Sequence, residues 1–209
     1  RFDSVAIEPR MQWQGCQALL EHALQPLRAA AQAKGLALRH EGADFDIHTD
    51  PDLFERILRN LVDNAIKFTT VGGVLVTAEP ADGDACLVMV TDTGAGIPAE
   101  LHGEVFKEYF QAPDGRDAGG LGLGLAIVRR LSRSLGIQVH LQANPGGGTR
   151  FVLQLPPGSM RPRQAADEAE PASLSRPAPL APTTVLCIDD NADALQATAL
   201  LLRSWGVRV

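Results

Sequence analysis

The stretch Asn60-Leu-Val-Asp-Asn64-Ala-Ile-Lys67-Phe-Thr closes a segment of helical periodicity that starts at Asp50-Pro51, an N-cap followed by a first-turn proline. Because each residue of an α-helix turns by about 100°, its two asparagines and its lysine fall within about 60° of one another. The opposite arc is apolar and should face a core: Phe54, Ile57, Leu58, Leu61 and Ala65. Asparagine is a poor helix former, so two on one face indicate either a binding surface or an ordinary solvated face.

A second pattern, Asp92-Thr-Gly94-Ala-Gly96-Ile97-Pro98, follows the apolar run Cys86–Thr91. That run predicts a strand, so the acid comes at the strand's end. A buried carboxylate there can accept a hydrogen bond from an exocyclic amine, which would distinguish adenine from guanine. The two glycines would let a base lie close to the backbone.

A third pattern, Gly120-Leu121-Gly122-Leu123-Gly124, runs into a helix predicted from Ala126 to Leu135. Glycine-rich turns before a helix can direct backbone N–H groups at phosphate oxygens. The loop lacks the Gly-Lys-Ser/Thr ending of a Walker-type loop, and on its own it is weak evidence because flexible linkers look similar. Further along, Gly147-Gly148-Thr149 opens a strand. An aromatic cluster from Phe106 to Phe110 fits plain core packing.

The remaining segments predict several strands with helices grouped among them. A long helix is expected at Gln14–Ala33, kinked at Pro26 and ended by Lys34-Gly35. The predicted strands are Ala37–Glu41, Val74–Glu79, Cys86–Thr91, Gln138–Ala143 and Thr149–Leu155, the last four forming two hairpins. This order predicts an α+β sandwich rather than a repeating βα array.

Composition excludes several classes of protein. The 209 residues are 45% hydrophobic, enough for one core and part of a second. A net charge of -6 argues against sequence-independent nucleic-acid binding, which needs a basic face, and no apolar run approaches membrane-spanning length. Three separated cysteines (Cys16, Cys86 and Cys187) form no ligand-like pair and favour a reduced, intracellular setting. We therefore expect no nucleic-acid partner and no membrane contact for this part of the protein.

In residue type and order, these patterns resemble the ATP-binding catalytic domain of sensor histidine kinases, in the group that includes gyrase, the heat-shock chaperone and the mismatch-repair ATPase. The resemblance covers residues 13–155. It implies a two-layer α/β sandwich with a mixed, mostly antiparallel sheet, ATP and Mg2+ as cofactors, and phosphoryl transfer to a histidine. It also implies that Asn64 ligates Mg2+, that Lys67 approaches the phosphates and that Asp92 binds adenine. The further residues that it implies for nucleotide binding are Gly94, Gly96, Ile97, Phe106, Gly120, Leu121, Gly122, Leu123, Gly124 and Thr149.

Asn60, which the resemblance places among the catalytic residues, departs from the ATP-hydrolysing relatives, which usually carry a glutamate there to activate water. An amide cannot take a proton near neutral pH, so this position favours phosphoryl transfer over hydrolysis. Two alternatives stay open: a chaperone- or repair-type ATPase of the same fold, and a nucleotide-binding module without catalysis.

Composition changes abruptly after Leu155. Six prolines between Pro157 and Pro182, with few large apolar residues, predict a linker over residues 158–182. Residues 183–209 resemble the first strand and helix of a response-regulator receiver domain, in which Asp189 and Asp190 would bind Mg2+. The predicted organisation is thus the tail of a dimerisation hairpin (1–12), the ATP-binding domain (13–157), the linker and a truncated receiver.

None of the five histidines fits the family's phosphoacceptor pattern, in which an acid follows the histidine directly and a proline lies one place further along than Pro26 is from His22. The acceptor is therefore expected upstream, on a helical hairpin of the same protein. The resemblance implies that hairpin as a partner, together with the protein's own or a cognate receiver domain, in a homodimeric hybrid kinase of a two-component phosphorelay. It also implies a cytoplasmic location, with the full-length protein compatible with an inner-membrane anchor.

Overall fold

The computed structural model describes residues 8–42, 44–111 and 121–163. The chain divides into two units, Arg1–Arg163 and Gln164–Val209, and every described residue belongs to the first. The predicted receiver start with Asp189 and Asp190, most of the predicted linker, and Gly120 all lie outside the described residues. Within the described part of the chain, no helix has the length and apolar character needed to cross a membrane.

The described part of the first unit consists mainly of strands, helices and short turns. In chain order the elements are β1 (Gln12–Gly15), α1 (Cys16–Leu24), α2 (Arg28–Ala33), β2 (Ala37–Gly42), β3 (Phe45–Thr49), α3 (Pro51–Phe68), β4 (Gly73–Ala81), β5 (Ala85–Asp92), α4 (Gly124–Ser134), β6 (Gln138–Ala143), β7 (Thr149–Gln154) and β8 (Met160–Pro162). Short 3-10 helices lie at Gln25–Leu27 and Ala99–Leu101.

Five strands form the larger sheet, in the order β2-β4-β5-β7-β6. β2 pairs parallel with β4 and the other neighbours pair antiparallel, so the sheet is mixed and mostly antiparallel, as expected. Burial alternates along the central strands: Val74, Val76 and Ala78 of β4 are buried, as is the matching set in β5. Helix α3 contacts β4 and β5, and α4 contacts α3 and β6. The predicted two-layer sandwich is confirmed.

Helix α3 begins where the sequence predicts. The Asp50 side chain caps it, because Oδ1 accepts from the Leu53 N–H at 3.0 Å, and Pro51 occupies the first position. Asp50 Oδ2 also accepts from the Arg10 N–H at 2.7 Å, so one carboxylate holds both the helix start and the incoming chain. The apolar arc of α3 is buried, which leaves its amide-bearing face to the site.

A smaller sheet, in the order β1-β3-β8, differs from the sequence prediction. Strand β3 lies where no element is predicted, β1 occupies the expected start of a helix that in fact begins at Cys16, and a 3-10 turn around Pro26 interrupts that helix. Residues 158–163, expected as linker, belong to the fold, since Met160–Pro162 pairs with β3. Strands of three to five residues depend on partners far along the chain, and local propensity gives them little signal.

Candidate nucleotide-binding site

Asp92 ends β5 and is only 6% exposed. Its Oδ1 accepts from the Gly94 N–H at 2.8 Å and from the Thr149 N–H at 3.1 Å. Burial raises the pKa of this carboxyl above its ordinary value, and the hydrogen bonds from Gly94 and Thr149 oppose that rise. Both backbone donors go to Oδ1, and the Thr149 side chain also hydrogen-bonds this carboxylate.

Three glycines allow the chain to close tightly around Asp92. A β-carbon on Gly94 would lie 2.6 Å from the Phe68 carbonyl oxygen, and one on Gly148 would overlap the Asp92 carbonyl. Gly96 adopts a positive φ of 78° and faces Gly148, whose φ is 100°. The end of α3, the loop after β5 and the turn before β7 therefore meet backbone to backbone around one acid.

The two asparagines of α3 lie beside the glycine loop, at Gly124. A β-carbon there would be 3.3 Å from Asn60 Oδ1 and 3.4 Å from Asn64 Nδ2. The Asn60 amide nitrogen donates to the Arg56 carbonyl one turn earlier, at 2.7 Å, which directs its Oδ1 away from the helix. The structure thus brings together two patterns that lie about 60 residues apart in sequence.

Lys67 lies in the last turn of α3 and is half-buried. The carbonyls of this turn are also engaged: Lys34 Nζ donates to Ile66 O at 2.9 Å and to Lys67 O at 2.8 Å. A cation at a helix C-terminus is favourable for the exposed carbonyls and the helix dipole. Lys34 thereby fixes the end of α3 that carries Lys67, a contact that the sequence does not predict.

The glycine loop continues outward from Gly124. Leu123 and Gly122 are half-buried, Gly122 has a φ of 68°, and Leu121 is 73% exposed. The Gly122 carbonyl accepts from the Tyr109 N–H at 3.1 Å, which joins the loop to the aromatic segment. Phe106 packs edge-to-face on Phe151, with ring centroids 6.3 Å apart.

Phe106 therefore packs like a core residue, in line with the plain packing alternative. Ile97 also packs partly against the core. Its carbonyl is held by the His102 ring Nε2, 2.9 Å away. The sequence patterns give His102 no role beyond surface or packing.

Two further residues near Asp92 are missed by the sequence prediction. Asn144 Nδ2 donates to the Asp92 carbonyl at 3.0 Å and to Gly147 O at 2.9 Å. Its place before a Pro-Gly run indicates only a turn residue. Phe68 is 55% exposed, and its carbonyl touches the Gly94 position. On the helix Phe68 falls about 80° from Asn60, toward the polar face. The sequence alone could therefore have indicated that this ring is exposed beside the site.

Carboxylates and histidines do not make a metal site here. Within residues 8–42, 44–111 and 121–163, no three His, Cys, Asp or Glu side chains lie together as metal ligands. A cation near Asn60 and Asn64 would rely on neutral amide oxygens and on oxygens of a bound phosphate, which suits Mg2+. The outward Oδ1 of Asn60 fits this donor set.

A buried acid enclosed by closely packed glycines, together with an amide face beside a glycine loop, fits the ATP-binding domain expected from the sequence. Comparison with known proteins agrees. The family model described as "Histidine kinase-, DNA gyrase B-, and HSP90-like ATPase" matches residues 49–159. The chain belongs to this family, and the resemblance of residues 13–155 to the ATP-binding catalytic domain of sensor histidine kinases is confirmed.

Several curated sensor kinases are similar to this chain. The sensor histidine kinase AtsR of Burkholderia thailandensis is 35% identical over 205 residues, covering 91% of this chain and 32% of AtsR. The virulence sensor protein BvgS of Bordetella bronchiseptica is 36% identical over 207 residues, covering 92% of this chain and 16% of BvgS. The chain thus spans a third or less of the length of these relatives.

Solved structures show the same fold. The full-length ShkA structure in complex with AMPPNP aligns with a TM-score of 0.68 and 31% identity, covering 98% of this chain and 41% of ShkA. The mycobacterial sensor histidine kinase MprB aligns with a TM-score of 0.63 and 24% identity, covering 73% of this chain and 99% of the solved chain. The MprB match supports the fold alone.

Proposed function

We propose that this chain is the ATP-binding catalytic part of a hybrid sensor histidine kinase, which transfers the γ-phosphoryl group of ATP to a histidine on a dimerisation hairpin of the same protein. Two observations carry the proposal together. The carboxylate of Asp92 is buried and held by backbone N–H groups, and the amide face of α3 lies against Gly124. The similarity to AtsR and BvgS supports it over the chaperone- and repair-type alternatives.

In this proposal, Asp92 recognises adenine through a hydrogen bond. Its Oδ1 is held by the Gly94 and Thr149 N–H groups, so Oδ2 accepts from the exocyclic amine of adenine. Guanine presents a carbonyl at that position and is repelled by the carboxylate. Gly94, Gly96 and Ile97 line the base, and the exposed ring of Phe68 offers it a stacking surface.

The phosphates lie toward α4 and the polar face of α3. The N–H groups of the loop from Gly120 to Gly124 bind phosphate oxygens at the start of α4, where the helix dipole favours negative charge. Lys67 adds a positive charge. Asn64, with Asn60, holds Mg2+, which neutralises phosphate charge when bound.

Asn60 directs the chemistry toward transfer. Phosphoryl transfer needs alignment and charge stabilisation more than a covalent intermediate. An amide at this position leaves a water molecule without a base, whereas the acceptor histidine supplies its own nucleophilic nitrogen. The Asn60→Glu variant separates this proposal from a hydrolase, since a hydrolytic site should gain ATPase activity from the added base.

The rest of the chain extends the proposal. The predicted linker of about 25 residues gives a typical reach of roughly 30 Å, longer where prolines extend it. A receiver that starts at residue 183 and carries Asp189 and Asp190 would bind its own Mg2+ and take the phosphoryl group from the histidine. The working protein is then a homodimer in a phosphorelay, as the resemblance implies.

Calorimetric titration of Mg-ADP into the full chain, beside an Asp92→Ala variant, tests the base site. Loss of a charge-assisted hydrogen bond worth about 1.5–3 kcal/mol should weaken binding roughly 10- to 100-fold. Equal binding by both proteins would exclude Asp92 as the base acceptor. A histidine hairpin supplied separately, with labelled ATP, then tests transfer, and a chain that binds ATP but never labels the hairpin would be a nucleotide-binding module.

A further inference from the structure

We infer that Asn144 is a positioning residue for base recognition. Its side-chain amide holds the main chain of Asp92 and the turn that carries Thr149 in one arrangement, and so sets the direction of Asp92 Oδ2. This inference rests on the proposed role of Asp92 in binding adenine.

A single amide nitrogen joins two segments that are far apart in the chain. Asn144 Nδ2 donates one hydrogen to the Asp92 carbonyl, at 3.0 Å, and the other to Gly147 O, at 2.9 Å. Asp92 lies 52 residues earlier, at the end of β5, whereas Gly147 belongs to the turn between β6 and β7. Both donor positions of the amide are therefore used.

Backbone hydrogen bonds close the turn of this hairpin without the bond from Asn144 to Asp92. They run from Asn144 N to Gly148 O at 3.1 Å and from Gly147 N to Asn144 O at 2.9 Å. The bond to Asp92 adds nothing to the turn itself. Its effect is to fix the turn relative to β5.

The position of the turn relative to β5 matters because Thr149, the first residue after the turn, donates a hydrogen bond to the Asp92 carboxylate. Thr149 follows Gly148 directly, and its N–H donates to Asp92 Oδ1 at 3.1 Å. The last residue pair between β5 and β7 is Thr91 with Arg150, so the Asp92 carbonyl lies just beyond the paired part of the ladder. Without Asn144, the turn could shift against β5 and carry the Thr149 N–H away from the carboxylate.

The test compares ADP with IDP, whose base carries an oxygen where adenine carries the exocyclic amine. Calorimetry on the full chain gives the ratio of the two affinities for wild type, Asp92→Ala, Asn144→Ala and Asn144→Asp. Asn144→Asp keeps the shape of the side chain, removes both N–H donors and adds a negative charge, whereas Asn144→Ala removes the donors without adding charge. Gln142→Ala is the matched control, because Gln142 is exposed on β6 of the same hairpin. Thermal unfolding of each variant reports stability separately.

We expect both Asn144 variants to lower the ADP preference about 5-fold or more, toward that of Asp92→Ala, while IDP affinity stays within about twofold of wild type. Gln142→Ala should keep the wild-type ratio. A wild-type ratio in a folded Asn144→Asp chain would overturn the inference. So would equal losses of ADP and IDP affinity that follow lost stability, since those indicate a purely structural role.

Failure of the underlying proposal gives a different pattern. If Asp92→Ala keeps the wild-type preference for ADP over IDP, Asp92 does not recognise the base. The inference about Asn144 is then also wrong. If Asp92→Ala loses the preference and the Asn144 variants keep it, only the inference fails.

Discussion

The carbonyl oxygen of Asp92 occupies the space that a β-carbon on Gly148 would need. Gly148 also has a φ of 100°, a region that side chains other than glycine rarely adopt. The hydrogen bond from the Thr149 N–H to Asp92 Oδ1 depends on this close approach. The glycine before Thr149 is thus required by contact with the acid as well as by the turn.

Gly148→Ala should therefore weaken nucleotide binding more than the substitution Gly146→Ala does. Moving the backbone away from Asp92 costs about 1–3 kcal/mol of strain and should weaken ADP binding at least about 10-fold. Gly146→Ala is the matched control, because nothing lies within 4 Å of its β-carbon position and its φ is not positive. Calorimetry with ADP checks both variants, and similar affinities would show that the turn tolerates displacement.

The raised pKa of Asp92 predicts opposite pH effects on stability and on binding. Burial raises this pKa above the ordinary value of 3.8, so the folded chain holds the proton more tightly than the unfolded chain does. The contribution of Asp92 to the free energy of unfolding is therefore complete at pH values below the ordinary pKa. It is lost as the pH rises through the raised pKa. In the proposed site the nucleotide binds the ionised carboxylate of Asp92, so we expect ADP affinity to fall as the pH drops through the same window.

Asp92→Asn separates this effect from the titration of the nucleotide itself. Denaturant unfolding of the nucleotide-free chains between about pH 4 and pH 8 should show wild type losing stability relative to Asp92→Asn as pH rises. Over the same range, the ADP affinity of the variant should lack the acid-side fall that Asp92 contributes. Parallel curves for the two proteins, in both measurements, would exclude Asp92 as the titrating group.

Local signals account for the parts of the fold that the sequence predicts well. Asp50 and Pro51 mark the start of α3, and alternating apolar residues mark β4 and β5. The smaller sheet has no such signal, since β8 is three residues long and pairs with a strand more than 100 residues earlier. In the site, the sequence patterns single out Asp92 and the amide face of α3 as candidate binding groups. The hydrogen bond from Asn144 to Asp92 leaves no sequence pattern, because it joins segments that meet only in the folded chain.

Gly124→Ala tests whether the amide face of α3 serves the metal. A β-carbon would lie 3.3 Å from Asn60 Oδ1 and 3.4 Å from Asn64 Nδ2, closer than most real contacts, so the two amides must shift. We expect ADP binding with Mg2+ to weaken about 5-fold or more, and binding in the presence of a chelator to change less.

Gly103→Ala is the control for that variant, since nothing lies within 4 Å of its β-carbon position. It should bind ADP like wild type under both conditions. An equal loss with and without Mg2+ in Gly124→Ala would mean that the glycine serves the phosphates or the fold rather than the metal.

Arg161 should contribute more to stability than its neighbour Arg163, because its partner is buried. Its Nε and Nη2 donate to Asp46 Oδ2 at 3.1 and 3.0 Å, and its guanidinium lies 4.6 Å from the centre of the Trp13 ring on β1. Removing it leaves the Asp46 side chain, 5% exposed, without these donors, so Arg161→Ala should lower the free energy of unfolding by about 2 kcal/mol. Arg163→Ala breaks a pair with Asp44, which is 66% exposed, and should cost less than about 1 kcal/mol. Denaturant unfolding measures both variants. Equal destabilisation by Arg161→Ala and Arg163→Ala would refute the larger contribution of the buried Arg161–Asp46 pair.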